Sequence, residues 1–229
     1  MKKVIETKNL VKIFGQGELE VKALNGVDVV IEKGEFTALV GPSGSGKTTL
    51  LNMIGGLDTP TSGQVILNGQ NIAELKKSEM TEFRQKNIGF VFQAYNLIPV
   101  LSAYENAEFI MMLQGIEESE RKKRVFKLLK EVGLEGKEGN RPGQLSGGQQ
   151  QRVAVVRALA AQPAYILADE PTANLDSKAT TDLLDLMYRL NQEENMTFVF
   201  ATHDQRVIDR AKRVVYIDDG KIVKEEKRA

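Results

Sequence analysis

The 229-residue sequence predicts an α/β fold, a mostly parallel sheet covered on both faces and interrupted by a helical insert. Three observations carry that expectation. Short β-branched or apolar runs alternate with helix-length segments in the outer thirds of the chain, the pattern of parallel strands joined by crossover helices. The middle third instead repeats its apolar residues at helical spacing. Near the end, Asp218-Asp219-Gly220 marks a tight hairpin.

Taken in order, the first third reads as strands. Residues 21–31 are β-branched with rough period-2 alternation, and Glu32-Lys33-Gly34 turns the chain. Residues 35–40 form a short apolar strand that runs into a glycine-rich loop, and 47–54 carry helical character until Gly55-Gly56 stops it. Residues 63–69 and 88–92 are further strands. In the middle third, Tyr104, Ala107, Ile110 and Met111 recur at helical spacing, as do Val125, Leu128 and Leu129. Residues 133–143 are loop, and a helix at 147–161 closes an insert placed at about 94–157. The last third alternates again: strand 164–169, helix 177–195, strand 196–201, a short helix at 205–211, then paired strands 213–217 and 221–224. Met111-Met112 is expected in the core. Arg121-Lys122-Lys123-Arg124 is expected as a solvated helix face.

Composition narrows the class. Length alone suggests about 1.5 domains at ~150 residues each. The 31 Lys and Arg balance 31 Asp and Glu, so the chain lacks the broad basic footprint of a general nucleic-acid or anionic-membrane binder. Hydrophobic residues at 41% and charged residues at 27% fit an ordinary globular chain with a sizeable core. The absence of cysteine excludes disulfides, thiolate metal sites and a cysteine nucleophile, and fits a reducing compartment. The apolar runs fall well short of the ~18 residues that span a bilayer. The N-terminus has no apolar stretch after its lysines, so no secretory signal is expected.

The chemistry is concentrated in a few motifs. Gly41, Pro42, Ser43, Gly44, Ser45, Gly46, Lys47 and Thr48 match G-x-x-x-x-G-K-[ST] in full. In such a loop the backbone N–H groups turn inward around phosphate oxygens, and the following helix points its positive end at them. Lys47 then reaches the β- and γ-phosphates, and the Thr48 hydroxyl ligates Mg²⁺. A flexible Gly/Ser loop would share this composition, but the strand before it and helix after it favour phosphate binding. The strand 165–169 ends in Asp169, with Glu170 next. Beside a phosphate loop, Asp169 suits Mg²⁺ and Glu170 suits a base that takes a proton from attacking water. Alone, the pair would read as acids capping a turn. Leu145-Ser146-Gly147-Gly148-Gln149 places a capping serine before two side-chain-free positions at a helix N-terminus, a second place where an anion could approach closely.

Two anion-gripping helix ends in one small chain resemble the ATP-binding cassette (ABC) ATPases, whose signature motif is LSGGQ. The resemblance covers essentially the whole chain, with the motifs in the family's order. It implies a P-loop NTPase of the ABC ATPase type: a mostly parallel core sheet, an N-terminal antiparallel β subdomain and an inserted helical subdomain. It further implies a single domain over 1–229, with about 1–93 and 158–229 as a RecA-like core plus β subdomain and about 94–157 as the helical part. By the same resemblance Gly41 to Thr49 hold ATP phosphates, and Gln93 touches Mg²⁺ and senses a membrane partner. Asp176 ends the D-loop, His203 contacts the γ-phosphate, and Phe14 stacks on adenine where the family more often has Tyr. Ser146, Gly147, Gly148 and Gln149 grip the nucleotide of a second copy. Lys47, Gln93, Glu170 and His203 carry catalysis, and Thr48, Gln93 and Asp169 the metal.

Within the family, LNMIGGLDTPTSGQV, FVFQAYNLIPVLSAYENA and LADEPTANLD resemble the lipoprotein-releasing and macrolide-efflux branch of bacterial ATPase subunits. That branch implies ATP and Mg²⁺ as cofactors, a second ATPase subunit (a homodimer), and integral membrane permease subunits with four transmembrane helices. It places the chain peripherally on the cytoplasmic face of the bacterial inner membrane, with no nucleic-acid partner. The cargo would be a lipoprotein, peptide or drug. Cell-division relatives use similar ATPases as nucleotide-gated regulators without transport, which is the second reading. Soluble family members of DNA repair or translation carry long coiled-coil insertions or two cassettes, neither of which occurs in this sequence.

Overall fold

The computed structural model describes residues 2–15 and 17–228 and arranges them around two sheets. The smaller is antiparallel. In it β1 (Lys3–Phe14) lies between β2 (Val21–Glu32) and β4 (Ser62–Leu67), with β5 (Gln70–Asn71) at the edge. The larger contains β3 (Phe36–Val40), β6 (Ile88–Val91), β7 (Tyr165–Asp169), β8 (Thr197–Ala201), β9 (Arg213–Asp218) and β10 (Lys221–Lys227). Its order is β10-β9-β3-β8-β7-β6, parallel throughout except for the β9–β10 hairpin. That hairpin turns at Asp219 and Gly220, φ 44° and 70°, the paired left-handed conformation of a two-residue type I′ turn.

Parallel strands buried on both faces need apolar residues at every position, and these strands supply them. Phe36, Ala38, Ile166, Ala168, Phe198 and Phe200 pack under the helices α3 (Ala103–Leu113), α4 (Glu118–Glu131), α5 (Gly147–Ala160), α6 (Ser177–Glu194) and α7 (Gln205–Arg210). The alternate residues Leu39, Tyr165, Leu167, Val199, Ala201 and Val215 pack against α1 (Lys47–Ile54) and the small sheet. Phe36 anchors the first cluster, its ring 4.7 Å from Phe200 and 5.6 Å from Phe198.

The elements β1, β5 and α2 were not singled out from sequence. β1 is broken by a bulge between Thr7 and Leu10, with Asn9 at φ 45°, so its buried residues Val4, Ile5, Thr7 and Leu10 do not keep period 2. The helix α2 (Lys77–Asn87) buries no residue fully and so carries no strong apolar stripe.

Two side-chain expectations are corrected. Met111 is fully buried, but Met112 is 47% exposed, because adjacent helical residues point about 100° apart. In the basic run only Lys122 and Lys123 are solvated. Arg121 is folded onto Glu108 at 2.7 Å, and Arg124 donates to the Ala160 carbonyl at 2.9 Å, tying α4 to α3 and α5. Among the described residues no helix is long and apolar enough to cross a membrane.

Candidate active site: a phosphate loop and a strand-end acid network

Because β3, β6, β7 and β8 are parallel, their C-terminal ends share one edge of the sheet, and each releases a functional segment there. β3 opens into the phosphate loop. Gly41 has no room for a side chain, since a Cβ there would lie 2.0 Å from the Ile217 carbonyl oxygen. Gly46 adopts φ 105°, and a Cβ would meet the Ala23 carbonyl oxygen at 2.5 Å. The loop is thus wedged between β2 and the terminal hairpin, whose Gly220 N–H donates to the Ser45 carbonyl at 3.0 Å. Gly46 caps α1 with no side-chain bond, which leaves the first amides of that helix open to an anion. Pro42, Ser43 and Gly44 are exposed and Thr49 is half-buried. The Lys47 ammonium lies over the loop, donating to the carbonyls of Gly41 (2.8 Å) and Pro42 (2.9 Å).

β7 delivers the acids. The Thr48 hydroxyl donates to Asp169 Oδ1 at 3.1 Å, joining the helix start to the strand end. Burial pushes the Asp169 carboxyl up from its ordinary range and the Glu170 charge adds to this, while the Thr48 bond and Lys47 oppose it. Glu170 follows at φ 44°, a strained conformation for a non-glycine residue, held by its N–H bond to the Ala201 carbonyl at 2.9 Å. One Glu170 oxygen contacts His203 Nδ1 at 2.7 Å and the other accepts from the Thr202 hydroxyl at 3.1 Å. With the carboxylate ionised, Nδ1 carries the ring proton, so His203 presents Nε2 outward. His203 is 77% exposed at its side chain against 16% for Glu170, so the carboxylate is sheltered and the histidine faces solvent.

Behind this pair, Asp204 N–H donates to the Thr202 oxygen at 3.0 Å. Asp204 Oδ2 accepts from Thr172 at 2.8 Å, and the Arg206 fork closes on both carboxylate oxygens at 2.9 and 2.7 Å. The Arg206 guanidinium, with help from Thr172, holds the Asp204 carboxyl down at about 2. This folded value lies below the ordinary 3.8, so its stabilisation is complete above about pH 4 and is lost as pH falls toward 2. Asp204→Asn should therefore lower stability by about 1 kcal/mol at pH 6, the scale of a partly exposed ion pair. In urea titrations the gap from wild type should narrow below pH 4. A gap that widens in acid would contradict this.

The remaining motif residues gather elsewhere. Ser146 caps α5 in a capping box: its Oγ accepts from the Gln149 N–H at 3.3 Å, and its own N–H donates to Gln149 Oε1 at 3.0 Å. A Cβ on Gly147 would lie 2.8 Å from the Tyr95 hydroxyl, and one on Gly148 would lie 3.4 Å from Leu175. Gln93 is exposed, and its carbonyl accepts from the Asn174 amide at 3.0 Å. Asp176 caps α6 through a 2.8 Å bond from the Ala179 N–H. Phe14 stands apart, 45% exposed, with the Lys12 ammonium 4.9 Å from its ring centroid. Among the described residues no hydrogen bond joins 146–149 to 41–49. The sequence motifs do not single out Tyr95, Thr202 or the Asp204–Arg206 pair, and Asn174 enters only within the D-loop segment 173–176. Only Asp204, an N-capping residue type before a short helix, left a trace there.

A glycine-rich loop opening a helix from an inner strand of a parallel sheet, with a carboxylate at a neighbouring strand end, defines a P-loop nucleoside triphosphatase. The chain belongs to the ABC transporter family, whose model matches residues 24–173. It is 49% identical over 220 residues to the macrolide export ATP-binding/permease protein MacB of Hyphomonas neptunium, covering 96% of this chain and 34% of that one. To the lipoprotein-releasing system ATP-binding protein LolD of Pseudoalteromonas translucida it is 42% identical over 223 residues, covering 97% and 96%. The chain therefore spans about a third of the MacB relative's length and nearly all of LolD's. The cassette MJ0796 of Methanocaldococcus jannaschii, solved as a dimer in a post-hydrolysis state bound to ADP and Pi, superposes with a TM-score of 0.93 at 44% identity, over 98% of this chain and 99% of that one.

The chain is an ABC-type ATPase, with ATP and Mg²⁺ as its ligands, and its residues fit both. Asp169 is a partly buried carboxyl next to Glu170, bonded to the Thr48 hydroxyl beside the phosphate loop. Among the described residues no three His, Cys, Asp or Glu side chains cluster to hold a metal by themselves. Thr48 and Asp169 would hold Mg²⁺ here, where the ion would neutralise phosphate charge.

Proposed function

We propose that this chain is the ATP-hydrolysing subunit of a membrane ABC transporter. It works as a head-to-tail homodimer that powers export or extraction of a lipoprotein, peptide or drug through separate permease subunits. The observation that carries this is the split of the site, with 41–49, Asp169, Glu170 and His203 in one group and 146–149 in another that, among the described residues, no hydrogen bond joins to the loop. In the proposed dimer, Gly41 to Thr49 of one copy and Ser146 to Gln149 of the other enclose each ATP, with Phe14 against the adenine and Asp176 ending the D-loop at the seam. Lys47 neutralises the β- and γ-phosphates, and Thr48, Asp169 and Gln93 hold Mg²⁺. Glu170 takes the proton of the attacking water, and His203 contacts the γ-phosphate.

On this reading 1–229 is one ABC ATPase domain, and the helical part at about 94–157 carries motion to the permease. A cavity of about 300 Å³ at Phe92, the residue before Gln93, lined also by Phe90, Phe109 and Ile110, suits an apolar segment of that partner. The site of action is the cytoplasmic face of the bacterial inner membrane.

Complementation tests the arrangement. Ser146→Arg should block closure and Lys47→Ala should cripple the loop, each alone leaving little ATPase activity. Mixed, they form one site with both good halves, and activity should return. No recovery under conditions where heterodimers are seen by native mass spectrometry would sink the head-to-tail model. Reconstitution with the permease in liposomes then separates a transporter, which cargo stimulates, from a gated regulator, which it does not.

A further inference from the structure

We propose that Thr202 is a positioning residue for the ATPase reaction, its hydroxyl fixing the carboxylate of Glu170 in the orientation that accepts the proton. The proposal rests on Glu170 being the base. The Glu170 backbone is already pinned, its N–H on the Ala201 carbonyl and its φ at 44°, but the flexible side chain leaves the carboxylate free to rotate. Two donors stop that rotation, the His203 ring on one oxygen and Thr202 on the other. They differ in permanence. His203 is largely exposed and stands where nucleotide arrives, whereas Thr202 is fully buried at the end of β8.

The direction of the Thr202 bond is set by its neighbours. Its oxygen accepts the Asp204 N–H at 3.0 Å, so the one proton the hydroxyl owns is directed to Glu170 Oε2. Asp204 is in turn immobilised by Thr172 and by the Arg206 fork. The chain of bonds therefore runs from a rigid ion pair, through one hydroxyl, to one carboxylate oxygen. The other oxygen, Oε1, is left on the exposed side with His203. β8 itself is Thr-Phe-Val-Phe-Ala and wholly buried, so packing alone would accept valine at 202 as readily as threonine. The hydroxyl, not the shape, distinguishes the two.

The experiment compares Thr202→Val and Thr202→Ser in wild-type and Glu170→Gln backgrounds, reading kcat and KM for MgATP. Bonds to charged groups of this kind predict a kcat loss of about ten- to a hundredfold for valine. KM should stay within about twofold, and serine should restore most of kcat. In the Glu170→Gln background, where no basic carboxylate is left to orient, valine should change the residual rate by less than about twofold. A structural defect would instead multiply through both backgrounds and leave serine no better than valine. Either of those results, or full kcat with valine, overturns the proposal. If the valine protein does not fold, Thr202→Ala must give the same split between backgrounds. Wild-type turnover by Glu170→Gln alone would remove the base assignment itself, and the role of Thr202 with it, whereas a failure at Thr202 leaves Glu170 intact.

Discussion

Glu170→Gln should bind MgATP, hydrolyse it about 10²–10⁴ times more slowly, and accumulate as a dimer. The amide has nearly the shape of the carboxylate and can still accept from Thr202 and face His203, so the strand end and the phosphate loop should stay in place. What disappears is the proton acceptor, equivalent to about 2.7–5.4 kcal/mol of barrier. Removing one negative charge beside Asp169 and the γ-phosphate also relieves repulsion in a water-poor site, which favours closure around nucleotide. The dimer should be stabilised in proportion to ATP, because only the paired form holds both halves of each site. Size-exclusion chromatography with and without MgATP reads this directly. A variant that remains monomeric at saturating ATP, or that turns over normally, shows that another group is the base. Asp169→Asn should behave differently and lose the tight nucleotide grip, since the carboxylate facing Thr48 is the one that suits the metal.

Lys47→Ala should all but abolish turnover and weaken ATP binding. In the structure the ammonium rests on the carbonyls of Gly41 and Pro42, held over the mouth of the loop. A phosphate oxygen outcompetes two neutral carbonyls for that cation, because it adds the attraction of a full opposite charge to what the carbonyls offer as dipoles alone. The binding lost with the side chain should be about 1.5–3 kcal/mol, or roughly ten- to a hundredfold in Kd. Isothermal titration with a slowly hydrolysed ATP analogue measures it. Because the lysine makes no ion pair among the described residues and is only half-buried, thermal stability without nucleotide should move little. An unchanged Kd would overturn the loop assignment. A large drop in the melting temperature would show the lysine to be structural.

Both positions are legible in the sequence because the motifs that single them out are set by local chemistry. The helix Lys47–Ile54 matches its expected bounds, since a glycine-rich loop starts it and Gly55-Gly56 ends it within eight residues. The capping box at Ser146 and the Asp219-Gly220 turn are likewise short-range, and both stand where their residue types require. β1 was not visible, because its bulge at Asn9 shifts which face each side chain takes. α2 was hidden by its lack of a buried face. Arg121 and Arg124 were misjudged because a run of like charges on a helix turns over two sides, and only one of them is wet. At the site, what could not be read is the support behind the motifs. The bond from Thr202 to Glu170 joins residues 32 apart in the chain, and nothing in either segment announces the other.

The position of β3 has a consequence for how the molecule comes into being. The strand that leads into the phosphate loop is complete by residue 40, yet both of its neighbours, β8 and β9, lie beyond residue 196. The loop itself is wedged against Ile217 and Gly220. During synthesis the sequence that binds phosphate thus emerges early and must wait for residues 197–218 before it has a sheet to sit in. The antiparallel trio of β1, β2 and β4 closes within the first 67 residues and can form meanwhile. Pairings so distant in sequence form slowly. Nucleotide binding therefore depends on residues 197–220 having been made, and a chain cut short before them lacks the seat of its phosphate loop.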